Sequence, residues 1–321
     1  MKNLFFYIMT VLIWGSTWIG IKLQLGIVDP MVSVGYRFSL AALLLLLWCR
    51  VRNLPMRFSG MDHLFIALQG TFLFCFNYLF FYLAELHLTS GLAAVIFSTI
   101  LLMNMINGAI FLKTPLDIRV IIGGVLGLSG IILVFLPELI SFPFSSDKMR
   151  GIMLCILATY LASVGNILSA RNQKHHLPII QTNGFGMAYG AIIMLALAFL
   201  TGKTFQFVQT FEYLGSLIYL SIFGTIIAFG CYLALIGNIG ADRAAYATLL
   251  FPLVALAIST VWEGYKWTGS ALFGVGLILC GNLLMIQRKK HRQSIDRSRY
   301  FFWRSGKKTR QFQSKPANPV V

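Results

Sequence analysis

Ten apolar stretches, each close to 20 residues long, occupy almost all of positions 4–287 and dictate the fold class. They run over 4–24, 31–49, 64–84, 90–112, 118–137, 151–171, 181–201, 213–236, 243–262 and 269–287, separated by short polar or Gly/Pro-containing loops. A hydrocarbon core about 30 Å thick is crossed by roughly 20 residues of helix. Lipid offers no partner to a backbone N–H or C=O, so only helices and closed barrels cross it, and unbroken apolar runs suit helices. The expectation is an all-α integral membrane protein with ten transmembrane helices. The first stretch is read as a retained helix, because its apolar run continues to Lys22 and Gln24 without a small-x-small cleavage pattern.

With 58% hydrophobic and 11% charged residues, and the spans consuming most of the length, little chain remains for a soluble catalytic domain. Cys49, Cys75, Cys155, Cys231 and Cys280 lie in or at the ends of spans, where thiols act as small apolar side chains, and no disulfide framework is expected. The formal charge of +16 is concentrated: eleven Lys/Arg against one Asp follow residue 287. This basic tail, 288–321, carries Tyr300, Phe301, Phe302 and Trp303 between Arg299 and Arg304, a mixture suited to anionic lipid headgroups. No nucleic-acid partner is expected, since nothing else in the chain resembles a nucleic-acid fold.

Loop charges orient the spans. With the N-terminus in the cytoplasm, the inside segments hold Lys2, Arg50, Arg52, Arg57, Lys113, Arg119, Arg171, Lys174, Arg243 and the tail. The outside loops hold only Lys148, Arg150, Lys203 and Lys266. The bias survives removal of the tail, so both termini are placed in the cytoplasm. A shift of 151 positions lays Ala93 and Ala94 on Ala244 and Ala245, Leu102 on Leu253, Gly123 on Gly274 and Gly130 on Gly281. One gap-free shift across two helices implies two copies of a five-helix unit, over 1–137 and 151–287. An odd helix count makes the second copy enter from the opposite side. That is an inverted-topology repeat, an architecture that places a substrate near the midplane between halves.

No GxxxxGK[ST], HExxH or GxSxG motif and no intramembrane carboxylate pair occurs, which argues against ATP-driven transport and against an enzyme. No cofactor or metal is called for. Polar groups in hydrocarbon are costly, so the few present become the site candidates. Trp14, Asn77, Tyr78, Asn104, Tyr160, Asn166 and Tyr246 combine aromatic walls with directed hydrogen-bonding groups, as a small-molecule pocket requires. Each also admits a plainer role, an asparagine bonding a neighbouring helix or a tyrosine in the interfacial belt. Lys22 and Arg37, with Glu85 as a partner for either, are assigned to a gate or structural network, against the simpler reading of snorkelling cations. Pro252, in mid-span, frees the carbonyl of Thr248 and marks a hinge or kink. Gly123, Gly124, Gly127 and Gly130, like Gly274, Gly276 and Gly281, are expected to form packing seams.

Three segments carry a family resemblance. Trp14-Gly15 in the first span, Arg37 within Tyr36-Arg37-Phe38 in the second, and the small-residue run from Gly240 to Pro252 resemble the EamA-type members of the drug/metabolite transporter superfamily, in order and across 4–287. The resemblance implies ten helices in two inverted repeats around a cavity bounded by the third, fourth, eighth and ninth. It also implies secondary transport, chiefly export of amino acids, amphipathic compounds or other small metabolites, across a bacterial inner membrane. The chain departs from the family where Leu101 replaces a proline of the fourth helix and Thr114 replaces a glutamate, with Glu263 near the equivalent second-half position, Tyr265. The expected partners are a small-molecule substrate and membrane lipid, with the chain a monomer or weak homodimer. The alternative is a non-transporting membrane protein that binds lipid or a partner through its tail.

Overall fold

The computed structural model describes residues 2–26, 28–88, 90–140, 146–254, 257 and 267–286, and every regular element among them is helical. We label the helices α1 (Lys2–Lys22), α2 (Pro30–Val51), α3 (Gly60–Glu85), α4 (Leu92–Leu112), α5 (Ile118–Val134), α6 (Ser146–Lys174), α7 (Ile179–Leu200), α8 (Phe211–Ile239), α9 (Ala241–Ala244) and α10 (Gly269–Ile286). Seven of them are long and apolar enough to cross a membrane; α5 and α10 are shorter apolar helices. The tail 288–321, Glu263 and Tyr265 lie outside the described residues.

Local chemistry sets the ends. Asp29 accepts from the backbone N–H of Met31 and is followed by Pro30 in the first turn of α2, a position where proline sacrifices no helical bond. Ser59 and Asp62 close a capping box that starts α3 at Gly60, ahead of the apolar run expected from 64. Thr210 caps α8, and Asp117 caps α5. The fifth apolar stretch was expected to reach 137, but α5 stops at Val134 and a short turn of helix, Leu136–Ile140, restarts beyond Phe135. Pro137 cannot donate to the carbonyl four residues back, so it occupies the opening turn of a new helix.

The expected ninth span is irregular where it is described. Ala241–Ala244 is followed by a 3-10 segment, Ala245–Leu249, and residues 251–254 are helical again. Pro252 has no N–H for the Thr248 carbonyl, and the turns before it are wound more tightly. Thr248 Oγ1 turns back to donate to the Ala245 carbonyl at 2.6 Å.

The 151-residue offset reappears in the backbone. α3 and α8, the helices beginning at Ser90 and Ala241, and α5 and α10 start 151 positions apart. Each of α3 and α8 contains one π-helical segment, Thr71–Phe76 and Ile222–Ile227, again 151 apart. Contacts are exchanged reciprocally. The α1 residue Trp14 donates its Nε1 hydrogen to the Gly224 carbonyl inside one π segment, at 3.0 Å. Gly165, 151 residues after Trp14, lies so close to the other that a Cβ there would sit 3.1 Å from the Leu73 backbone nitrogen. A π turn leaves carbonyls out of register. In hydrocarbon these must be covered by protein, and here the crossing helix covers them.

α5 and α10 pack antiparallel through the expected glycine seam. A Cβ on Gly130 would lie 2.5 Å from the Gly274 oxygen, and one on Gly281 2.6 Å from the Gly123 oxygen. The seam is an internal contact between the two helices. α2 and α7 cross in the same sense, Gly35 receiving Leu195 and Gly184 receiving Leu46. At one end of the bundle Gln69 accepts from Asn172 of α6 at 3.0 Å and donates to Asn183 of α7 at 3.3 Å, a fully buried polar tie.

Overpacking a close backbone contact costs about 1–3 kcal/mol. Gly274→Ala is therefore expected to lower the thermal unfolding midpoint in detergent. Gly276→Ala, two residues away with open space around its Cβ, should instead leave stability unchanged or raise it by about 0.5–1 kcal/mol through lost chain entropy.

Candidate functional site

A cavity of about 60 Å³ lies at the centre of the bundle. α1 contributes Trp14, Thr17 and Ile21; α2 contributes Arg37; α3 contributes Leu73, Asn77, Tyr78 and Phe81. Phe97 and Ile100 from α4, Ala162 and Asn166 from α6, Phe229 and Tyr232 from α8, and Phe251 complete it. Seven of these fifteen residues are aromatic. Trp14 meets Phe229, Tyr232 and Phe251 at ring-centroid distances of 4.8, 4.9 and 5.4 Å, tilted or edge-on, the arrangement the ring quadrupoles favour. Ligand sites typically enclose roughly 300–1,000 Å³, so the cavity is closed down well below the volume of a metabolite.

Hydrogen-bonded side chains stand beyond it on two sides. Beyond Ile21 and Phe81, Tyr82 of α3 donates to the side-chain oxygen of Gln24 at 2.7 Å. On the other side Asn166 Nδ2 donates to Asn104 Oδ1 and to the Tyr232 hydroxyl, each at 3.4 Å, and Asn104 Nδ2 donates to the Ala241 carbonyl at 3.2 Å. Asn104 faces away from the central cavity into a second, larger hollow of about 530 Å³. This vestibule lies between the C-terminal ends of α4, α6 and α8 and the starts of α5 and α9, and is lined by Lys113, Lys174, Asp117 and Asp242, among others. Asp117 pairs with Arg243 at 3.5 Å. Burial raises the Asp242 carboxyl above its usual range.

Among the described residues, Arg37 is the one charged group on the central wall, and it is 1% exposed. Its Nε donates to Thr225 Oγ1 of α8 at 2.9 Å and its guanidinium lies over the Tyr78 ring, 4.6 Å from the centroid. Ser221 of α8 donates to the Arg37 carbonyl at 3.2 Å, so α2 and α8 are tied through this residue. Glu85 is also buried, and neither of its carboxylate oxygens has a hydrogen-bond partner. Lys22 is exposed and forms no ion pair with Glu85.

Of the candidates expected to contact substrate, Trp14, Asn77, Tyr78 and Asn166 line one cavity. Asn104 stands behind Asn166 at the boundary with the vestibule. Two do not belong. Tyr160 is 44% exposed on the outer side of α6, because it lies two residues from Ala162, about 200° around the helix from the cavity face. Tyr246 is buried elsewhere, donating its hydroxyl to the Val120 carbonyl of α5, and so ties α5 to the 3-10 segment. Pro252 is buried next to Phe251, which reaches the cavity. The apolar lining escaped a search for polar groups, although helical spacing from the polar candidates leads to it: Leu73 and Phe81 are four residues either side of Asn77, Thr17 and Ile21 follow Trp14 at three and seven, and Ala162 precedes Asn166 by four.

Known proteins match this arrangement over its full extent. The model of a family described as "EamA-like transporter family" matches residues 1–136 and again 149–287. Protein PagO of Salmonella typhimurium is 25% identical, covering 88% of this chain and 92% of the relative. A "probable amino-acid metabolite efflux pump" of the same organism is 27% identical, over 87% and 93% of the two chains. Inner membrane transporter YedA of Escherichia coli is 26% identical over 85% and 89%. A solved crystal structure superimposes with a TM-score of 0.71 at 16% identity, covering 88% of this chain and 95% of the other, and shares the fold.

Trp14→Phe keeps a ring in the aromatic cluster and strands the Gly224 carbonyl. A loss of about 1–3 kcal/mol in unfolding free energy in detergent is expected, whereas Trp48→Phe on the exposed face should stay within about 0.5 kcal/mol of wild type.

Proposed function

Because the chain belongs to the EamA-like transporter family, we propose that it exports small metabolites, amino acids or amphipathic compounds, by alternating access of its two halves. It is a multi-pass protein of the bacterial inner membrane, and transport rather than enzymatic turnover is the activity its relatives' names carry. The observation that supports the mechanism is the central cavity flanked on two sides by side-chain hydrogen bonds, with a polar vestibule behind one of them; in this reading the two sets of bonds are the closures. A protein that never exposes both sides at once needs two such closures, each weak enough to break. Interhelical polar bonds in bilayers average about 0.6 kcal/mol, which suits a reversible gate.

In this reading the halves are inverted five-helix repeats, 1–137 and 151–287, in a ten-helix chain with both termini in the cytoplasm. The 151-residue offset of helix starts and π segments supports the repeat, and the reciprocal, antiparallel pairing of α5 with α10 supports its inversion. The vestibule collects Lys113 and Lys174, assigned inside from loop charges, and is the cytoplasmic entrance. The Gln24–Tyr82 closure then faces outward, near the Asp29–Lys203 ion pair. Trp14, Asn77, Tyr78 and Asn166 contact substrate, Asn104 and Tyr232 hold the inner closure, and Arg37 ties α2 to α8. The tail lies on the cytoplasmic face against anionic headgroups.

Untargeted mass spectrometry of the medium around overproducing cells tests this. A metabolite enriched outside wild-type cells is expected, and lost from cells carrying Asn77→Ala with Tyr78→Ala at matched membrane abundance. Equal enrichment by both versions would remove the cavity from the transport route. Deleting 288–321 should leave the enrichment intact at equal abundance; its loss would favour a tail-centred role.

A further inference from the structure

We propose that Arg37 forms an anion subsite in the central cavity and takes the carboxylate of a small amphipathic substrate. The assignment rests on the transport reading above and narrows its substrate class. A buried guanidinium has five donors to satisfy, and an uncompensated charge in a low-dielectric interior is retained only at a substantial cost. Arg37 is 1% exposed and lines the cavity, yet its Nη1 has no hydrogen-bond partner and, among the described residues, no carboxylate oxygen lies within ion-pairing distance. The side chain is held in place: Nε is fixed on Thr225, and the guanidinium carbon lies against the Tyr78 and Phe38 rings, 4.6 and 5.5 Å from their centroids. Rigid support of a free donor is what an anion site requires, because little rotamer freedom is lost on binding.

The surroundings select among anions. A single cation matches a monoanion, and a planar carboxylate fits the guanidinium fork. Trp14, Phe229 and Phe251 offer apolar faces for the rest of the molecule. Asn77 Oδ1 and Asn166 Oδ1 are buried acceptors without partners. They oppose a second anionic group and accept from an N–H or O–H. The recognised species is therefore a carboxylate at one end, an apolar body, and at most a neutral or cationic donor elsewhere. Glu85 lies off the cavity wall, buried, with no hydrogen-bond partner for either oxygen.

Purified full-length protein in detergent tests the assignment by thermal unfolding against three probes of similar size: 3-phenylpropionate, 3-phenylpropionamide and 3-phenylpropylamine. The acid is expected to raise the unfolding temperature of wild type in a saturable manner, and the amide and amine to leave it unmoved. Arg37→Gln should weaken binding of the acid on the order of 10- to 100-fold, the loss of a charge-assisted bond. Arg37→Lys should retain part of it, since a point charge replaces the fork. Should Arg37→Gln fail to fold, Arg37→Lys decides the question: it must bind the acid more weakly than wild type while still preferring it to the amide and the amine. Equal responses to acid, amide and amine, no response to the acid, or undiminished binding by Arg37→Gln or Arg37→Lys would each overturn the proposal. Failure here differs from failure of the transport reading, because an exporter of amines or neutral compounds would still enrich a metabolite in the medium.

Discussion

A backbone carbonyl in hydrocarbon has no water to turn to, and the centre of this protein is organised around meeting that constraint. Two helices, α3 and α8, are underwound into π segments at positions 151 residues apart. Each irregularity is pressed by a helix from the other half, through Trp14 on Gly224 and Gly165 on Leu73. These crossings fix where α1 and α6 lie, and hence which of their faces meet at the centre. Trp14 is both the cover of a π segment and the hub of the aromatic wall. Structural and functional demands coincide in one side chain.

Close helix approach follows from the same economy. Without a hydrophobic gain between helices in lipid, packing depends on small residues that bring backbones together. The glycines of α5 and α10 and the Gly35 and Gly184 contacts between α2 and α7 supply that seam. They make closely packed pairs, while the helices around the cavity are joined through side-chain bonds. Such bonds flank the central cavity on two sides, where Gln24 meets Tyr82 and where Asn166 meets Asn104 and Tyr232.

Electrostatics concentrates on one residue. Arg37 links α2 to α8 through Thr225 and through Ser221, stacks on Tyr78, and still presents a free donor to the cavity. A cation with this many neutral supports and, among the described residues, no ion-pair partner is poised for a ligand. The aromatic and aliphatic side chains of the wall set the character of what accompanies the charge.

Spans, periodicity and the 151-residue shift were legible in the amino-acid order because each is a one-dimensional property: length against bilayer thickness, and identity at a fixed offset. The glycine seam was legible for the same reason, since small residues recur along one helix face. Four of the seven expected substrate contacts meet in one cavity, because intramembrane Trp, Asn and Tyr near mid-span have few places to be. What the order of residues left open was azimuth and depth. Tyr160 and Asn166 stand on one helix, yet one faces outward and the other inward, and only the crossing of α6 over α3 decides which. Tyr246 was spent on Val120 of α5, and Leu73, Phe229 and Phe251 became cavity walls, because contacts between halves are set by three-dimensional packing and leave no mark in local sequence.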